Sequence, residues 1–218
     1  MNQKGIAPLI IVIIVAVVAV VAGFGIYAAT RGGGAGGGGG GGGEVGLTPH
    51  DPIYIYGNDN FTSANGVTSG SGTVSDPYII ENWGISAENT YGIEITNTTA
   101  YFIICNCLIE NGRSVGYVGI ELFSAANGKI ENCTCDNNNN GIGLLSSDNN
   151  TLISNTCDNN YGAGIYLWNS DNNNLTNNTC SGNSYGIYLS ANNNTLTGNY
   201  LLNNTTPYYD EGTNNHWS

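Results

Sequence analysis

Positive charge is nearly missing from this chain. Four basic residues, Lys4, Arg31, Arg113 and Lys129, stand against sixteen acidic ones, for a net charge of -12. Nucleic-acid binding rests on neutralising phosphates with Lys and Arg, so that class of partner is excluded. Histidine occurs only at His50 and His216, and methionine once. A site built on clustered imidazoles or thioethers therefore lacks its material. The six cysteines include no C-x-x-C pair, so the usual zinc spacing is missing as well. Charged residues make up only 9% of the chain, and Gly and Asn abound. That composition by itself would permit disorder, but regularly placed Ile, Leu and Tyr argue for a packed solid.

What is present is a repeat. The strings YGIEI, VGIEL, NGIGL, AGIYL and YGIYL place glycines at 92, 119, 141, 164 and 186, in steps of 27, 22, 23 and 22 residues. A period in this range marks an architecture whose units bury their apolar faces only by stacking. Aligned on the glycines, one column reads Ile93, Ile120, Ile142, Ile165, Ile187, and the next reads Ile95, Leu122, Leu144, Leu167, Leu189. Period 2 puts both on one side of a strand. The residues between them, Glu94, Glu121, Gly143, Tyr166 and Tyr188, point the other way. A second short strand supplies Ile80, Phe102, Ile130, Leu152, Leu175 and Leu196. Five residues on lies a column of Ile85, Cys107, Cys135, Cys157, Cys180 and Leu201. Segments of about four residues between Asn, Gly, Ser and Asp are too short and too turn-rich for helices. The expected fold is all-β: a parallel β-helix of about six coils of roughly 22 residues, stacked about 4.8 Å apart. The longer first step predicts a loop of about five extra residues near 111–117. Asn tolerates left-handed backbone and can ladder from coil to coil, so the Asn runs read mainly as turn chemistry.

Residues 6–30 carry no charge and are rich in Ile, Val and Ala, bracketed by Lys4 and Arg31. As a helix they would span roughly 37 Å, enough for a bilayer core. The reading is one uncleaved transmembrane α-helix with a short cytoplasmic end, 1–5. A Gly-rich linker, 31–48, follows as a flexible tether. KGIAPLIIVI (4–13) resembles the start of pilin-like precursors, which implies cleavage after Gly5. The Glu that many pilins carry early in the helix is replaced by Ile10, and a glycine tether is not a pilin feature.

The repeat block, with DPYIIENWGI (76–85), NGVTSGSGT (65–73) and YDEGTNNHW (209–217), resembles the right-handed parallel β-helix proteins of the NosD-like and pectin-lyase-like type, in particular archaeal surface members. The resemblance implies right-handed coils, an N-terminal cap at 49–78, repeats at 79–203 and a C-terminal cap at 204–218. It also implies an extracytoplasmic domain, on the cell surface of a single-pass membrane protein. It is specific for fold and weak for activity.

Several residues invite chemistry. Cys107, Cys135, Cys157 and Cys180 fall in an inward column and read as small hydrophobes. Cys105 and Cys133 share a column with Asn155, Asn178 and Asn199, and one coil of separation is within disulfide reach. Asp136 and Asp158 stack, as do Asp148 and Asp171. Such pairs suit Ca²⁺ or solvated turns, and no other cofactor is expected. No Arg, Lys and His grouping of the kind used by pectate lyases or polygalacturonases exists, which leans against an enzyme. Tyr166 and Tyr188 with Trp168 and Tyr185 form an aromatic stripe fit for sugar rings or for stiffening the sheet. Sequons at Asn60, Asn97, Asn149, Asn174, Asn193 and Asn203, with further ones at Asn132, Asn177 and Asn204, are glycosylation candidates in an exported chain. The expectation is a membrane-anchored, extracytoplasmic adhesion or glycan-binding module, with surface polysaccharide or cell-envelope proteins as partners. A polysaccharide lyase or hydrolase, a pilin-like subunit and a NosD-like copper-handling protein remain alternatives.

Overall fold

The computed structural model describes residues 46–114 and 116–218. The expected cytoplasmic end 1–5, the span 6–30, the cleavage point at Gly5 and most of the linker lie outside the described residues. Among those described, no helix is long and apolar enough to cross a membrane.

The chain winds through three sheets in turn, once per coil. Sheet 1 carries Tyr78–Glu81, Phe102–Cys105, Gly128–Glu131, Thr151–Ile153, Asn174–Thr176, Thr195–Thr197 and His216–Trp217. Sheet 2 carries Thr48–Pro49, Trp83–Ser86, Leu108–Glu110, Thr134–Asp136, Thr156–Asp158, Thr179–Ser181 and Tyr200–Leu202. Sheet 3 holds the glycine repeats: Ile53–Tyr56, Ile93–Thr98, Val118–Ala125, Asn140–Leu145, Ala163–Trp168, Tyr185–Ser190 and Thr206–Asp210. Their pairings are parallel throughout. Val67–Ser69, which runs antiparallel to Tyr78–Glu81, closes the first edge of sheet 1. The result is the expected all-β parallel β-helix of about six turns. Residues 204–218, expected as a cap, continue the coil: Tyr208 pairs with Ile187 and Trp217 with Leu196.

The repeat glycines are explained by crowding between coils. A Cβ on Gly92 would stand 2.6 Å from the Gly119 carbonyl oxygen, one on Gly119 2.7 Å from that of Gly141, and one on Gly141 2.5 Å from that of Gly164. None of the three has a left-handed backbone. Beyond each glycine the Ile and Leu columns close over the interior, all fully buried. Each such side chain contributes roughly 1.5–3 kcal/mol by leaving water.

Corners are made by left-handed residues in register. Asn82, Asn106, Asn132, Ser154, Asn177 and Gly198, with φ from 53° to 63°, turn the chain from sheet 1 to sheet 2. Asn137, Asn159, Gly182 and Asn203 turn it towards sheet 3. Asn pays the least for this conformation among residues with a side chain. Just inside the corners, a second set of Asn is buried rather than in the turns. Asn160 Oδ1 accepts from the Asn138 N–H (2.9 Å) and Asn183 Oδ1 from the Asn160 N–H (2.8 Å), while Asn160 Nδ2 donates to the Cys135 carbonyl (3.1 Å). Parallel ladders run through Asn155, Asn178 and Asn199, and through Asn150, Asn173, Asn194 and Asn215.

Two columns differ from expectation. In sheet 1 the inward neighbour of Ile80 and Ile130 is Ile104, with Phe102 paired to Tyr78 and Gly128. In sheet 2 Ile109, not Cys107, stands between Ile85 and Cys135. The one coil that carries Phe102–Glu110 is therefore shifted by two residues. The slack lies in the connection from Ile109 to Ile120, which contains the short 3₁₀ turn Gly112–Ser114.

Candidate functional site

The register shift decides the cysteines. Cys105 lies opposite Glu131, whereas Cys133 lies beside Cys107, whose carbonyl accepts from Thr134 N–H (2.8 Å). The expected Cys105–Cys133 disulfide is not formed, and all six cysteines are free. Cys107 and Cys133 occupy the top of an Asn ladder. Their thiols donate to the Ile80 and Ile104 carbonyls (3.9 and 3.6 Å), as Asn155, Asn178 and Asn199 Nδ2 do to Ile130, Leu152 and Leu175. Cys135, Cys157 and Cys180 stack in the core. Burial holds the Cys135 thiol above its ordinary range, and hydrogen bonding between neighbours does the same for Cys157 and Cys180.

The stacked aspartates serve the corners. Asp136 accepts from Asn137 Nδ2 and Asn159 Nδ2 (both 3.0 Å), and Asp158 Oδ1 from the Ser181 N–H (3.0 Å). Asp148 and Asp171 accept backbone N–H groups one coil on, both at 2.7 Å. Among the described residues no group of three or more His, Cys, Asp or Glu is placed to hold a metal ion. The six sequon residues Asn60, Asn97, Asn149, Asn174, Asn193 and Asn203 are exposed.

On the outward face of sheet 3 the expected stripe is continuous and longer than its sequence suggests. Tyr54, Glu94, Glu121, Gly143, Tyr166, Tyr188 and Tyr209 stand in one column, each paired with the next through the ladder. Tyr166 and Tyr188 ring centres are 5.3 Å apart, and Tyr188 and Tyr209 4.9 Å apart, stacked at 27°. Trp168 lies 6.4 Å from Tyr166, and Tyr185 meets Tyr188 edge-on at 5.4 Å. Glu211 accepts from Tyr188 and Tyr209 hydroxyls at 3.4 and 3.2 Å. Tyr209 extends the stripe beyond the residues expected in it; its signal is the YY pair of Tyr208 and Tyr209, one coil beyond Tyr188.

The other half of the column is acidic. Glu121 is 8% exposed and Glu94 half-buried, side by side in register. Burial first, then the neighbouring Glu94 charge, pushes the Glu121 carboxyl up to about 7. Burial also raises Glu94. Burial and the two carboxylates hold the Tyr91 hydroxyl up at about 12. Tyr91 packs edge-on against Tyr117 at 5.6 Å beside this pair. Gly143, next in the column, is buried beneath the side chains of its neighbours. A Cβ there would meet Val118 Cγ1 at 3.3 Å and Glu121 Oε2 at 3.8 Å.

A family model described as "Periplasmic copper-binding protein (NosD)" matches residues 43–218. No curated protein matches the chain. Among solved structures, the A-module of an Azotobacter vinelandii mannuronan C-5 epimerase superposes with a TM-score of 0.45 at 15% identity, covering 63% of this chain and 48% of that one. A periplasmic alginate epimerase superposes with a TM-score of 0.37 at 18% identity, covering 64% of this chain and 42% of that one. The chain thus spans about half the length of these proteins or less.

Proposed function

The chain belongs to the NosD family, and from that fold and its outer face we propose an extracytoplasmic module that binds glycan along the aromatic column of sheet 3. The observation that carries this reading is the run Tyr166, Tyr188 and Tyr209, with Trp168 and Tyr185 beside it. Three coils present rings at nearly one spacing on a rigid sheet. Sugar rings stack on such surfaces through their C–H faces, and a preorganised row loses little side-chain freedom on binding. Hydroxyls held by Glu211 at the end of the row add fixed polar contacts. The apolar stretch 6–30 and the glycines that follow would tether this module to the membrane and let it sweep the surface.

Copper handling fits the described residues poorly. Copper(I) favours thiolate and thioether ligands. Five of the six thiols are no more than 2% exposed, and Cys105 is 9% exposed. His50 packs on Trp83 at 4.6 Å, and His216 stands at the opposite end of the coil stack.

Isothermal titration with a panel of neutral, amino and acidic oligosaccharides tests the reading. The wild type binds at least one class, and the double variant Tyr166→Ala/Tyr188→Ala loses tenfold or more in affinity. Equal binding by both proteins overturns it.

A further inference from the structure

The outer face of sheet 3 carries a second column beside the first, and it is largely apolar. Two residues further along each strand stand Tyr56, Thr96, Phe123, Leu145, Trp168 and Ser190, joined rung to rung by the ladder. Period 2 turns them to the same side as the first column. Tyr56 is 55% exposed, Trp168 43% and Phe123 37%, with Leu145 half-buried between the last two. Single apolar residues on a surface mean little, but a contiguous patch of them marks an interface. Neither base among the described residues stands on this face: Lys129 belongs to sheet 1 and Arg113 to the turn Gly112–Ser114. The order of the first column indicates which partner fits. The sheet has seven rungs, and Gly143, without a side chain, is the fourth. Tyr54, Glu94 and Glu121 precede it; Tyr166, Tyr188 and Tyr209 follow.

We propose that this face docks on the same face of a second copy of the chain, about a two-fold axis that runs along the Gly143 strand. Turning a copy over about that axis reverses the order of its rungs. Glu121 then faces Tyr166 of the second copy, Glu94 faces its Tyr188, and Tyr54 faces its Tyr209. Carboxylates meet hydroxyls, and each such contact occurs twice, as a two-fold interface requires. The two acidic pairs stay on opposite sides of the axis, so like charges are kept apart. In the second column Leu145 meets its own counterpart and Phe123 meets Trp168, aromatic anchors of the kind that dominate interfaces. Sheets packed face to face lie about 10 Å apart with their side chains interdigitated. Seven rungs of strands about six residues long make a face of roughly 29 by 20 Å, so a pair would bury roughly 1,200 Å² in all, within the range of specific interfaces. The inference goes beyond the glycan reading: sugar and second copy claim the same row, so each excludes the other.

Oxidative cross-linking of the full chain in detergent tests the geometry, because only residues that face each other link. Leu145→Cys should link to itself. Phe123→Cys and Trp168→Cys should link poorly alone and at least fivefold more when the two variants are mixed. Thr197→Cys, exposed on sheet 1, should stay unlinked, as should the wild type, whose thiols are all buried. Light scattering should give two chains per particle for the wild type and one for Leu145→Arg, with a circular dichroism melt to establish that the variant is folded. The proposal is overturned if Leu145→Cys links no more than Thr197→Cys, or if it links to other membrane proteins and never to itself. It is equally overturned if folded Leu145→Arg stays paired, which would put the association elsewhere in the chain. The glycan reading is tested separately. An oligosaccharide that binds through Tyr166 and Tyr188 should lower the Leu145→Cys link fivefold or more, and one that binds without lowering it overturns the shared face. Linking with no sugar bound leaves the pair standing and the glycan reading fallen; sugar binding with no link leaves the reverse.

Discussion

Glu121 illustrates how an outward residue on a β-helix becomes a titrating group. Its carboxyl lies at about 7, raised from 4.5 chiefly by burial and then by Glu94. The folded state therefore holds a proton that the unfolded chain has released, across the interval from about 4.5 to about 7. Stability is highest below that interval and falls as pH rises through it, then levels off. Glu121→Gln removes the loss. Urea denaturation at pH 5 and pH 8 should show a wild-type decrease on the order of 1–3 kcal/mol from this group, and a smaller decrease in the variant. A wild type no less stable at pH 8 would contradict the buried, unpartnered carboxyl. The glycines make a separate case at the same scale. Gly141→Ala forces a methyl to within 2.5 Å of the Gly164 carbonyl and 2.9 Å of Cys157 Cβ. Backbone on one side and core on the other leave nowhere to move. Overpacking of this kind costs about 1–3 kcal/mol or more, read as a lower urea midpoint with unchanged slope.

Each coil is three strands joined by corners, and the corners rather than the strands set the register. The Ile, Leu and outward columns of sheet 3 are legible in the sequence because a glycine precedes each strand and period 2 does the rest. The early columns of sheets 1 and 2 are misread when cysteine is matched to cysteine. Matching the left-handed corner residues instead, Asn82, Asn106, Asn132, Ser154, Asn177 and Gly198, gives the observed pairing. Side-chain identity there is a poorer guide than backbone conformation. The buried Asn ladders are hidden for a related reason. Nothing in composition separates an Asn that turns a corner from the next one, which reaches inside. Asn178 shows what the inner set does: it accepts the Asn155 N–H and donates to the Leu152 carbonyl. Asn178→Ala orphans both buried groups and should cost about 2–4 kcal/mol. Conversely, Cys133→Asn would extend the ladder upward, with an oxygen for the Cys107 N–H and a better donor for the Ile104 carbonyl. Thermal melts should rank Cys133→Asn above wild type and Asn178→Ala well below it. Equal melting temperatures for all three would mean that the ladders carry no net stability.

At the scale of the whole molecule, neighbouring coils contact one another and little else, so stability is close to a sum of coil and interface terms. One coil is then removable without unmaking the fold. Deleting residues 140–162 brings Ile165 into the place of Ile142 and Leu167 into that of Leu144, as their pairing shows. Asn160 leaves its ladder, but Asn183 meets Asn138 in the equivalent position. The shortened chain should keep a strand-type far-ultraviolet spectrum and a single cooperative transition, with a smaller denaturant slope because less surface is exposed on unfolding. Its outer face changes in one respect. Glu121 now adjoins Tyr166 directly, with no glycine rung between the acidic pair and the aromatic row. Binding along Tyr166, Tyr188 and Tyr209 should survive this deletion. A deletion protein that folds and no longer binds would show that the row needs the coil before it. One that folds and binds ties affinity to the three coils that carry Tyr166, Tyr188 and Tyr209.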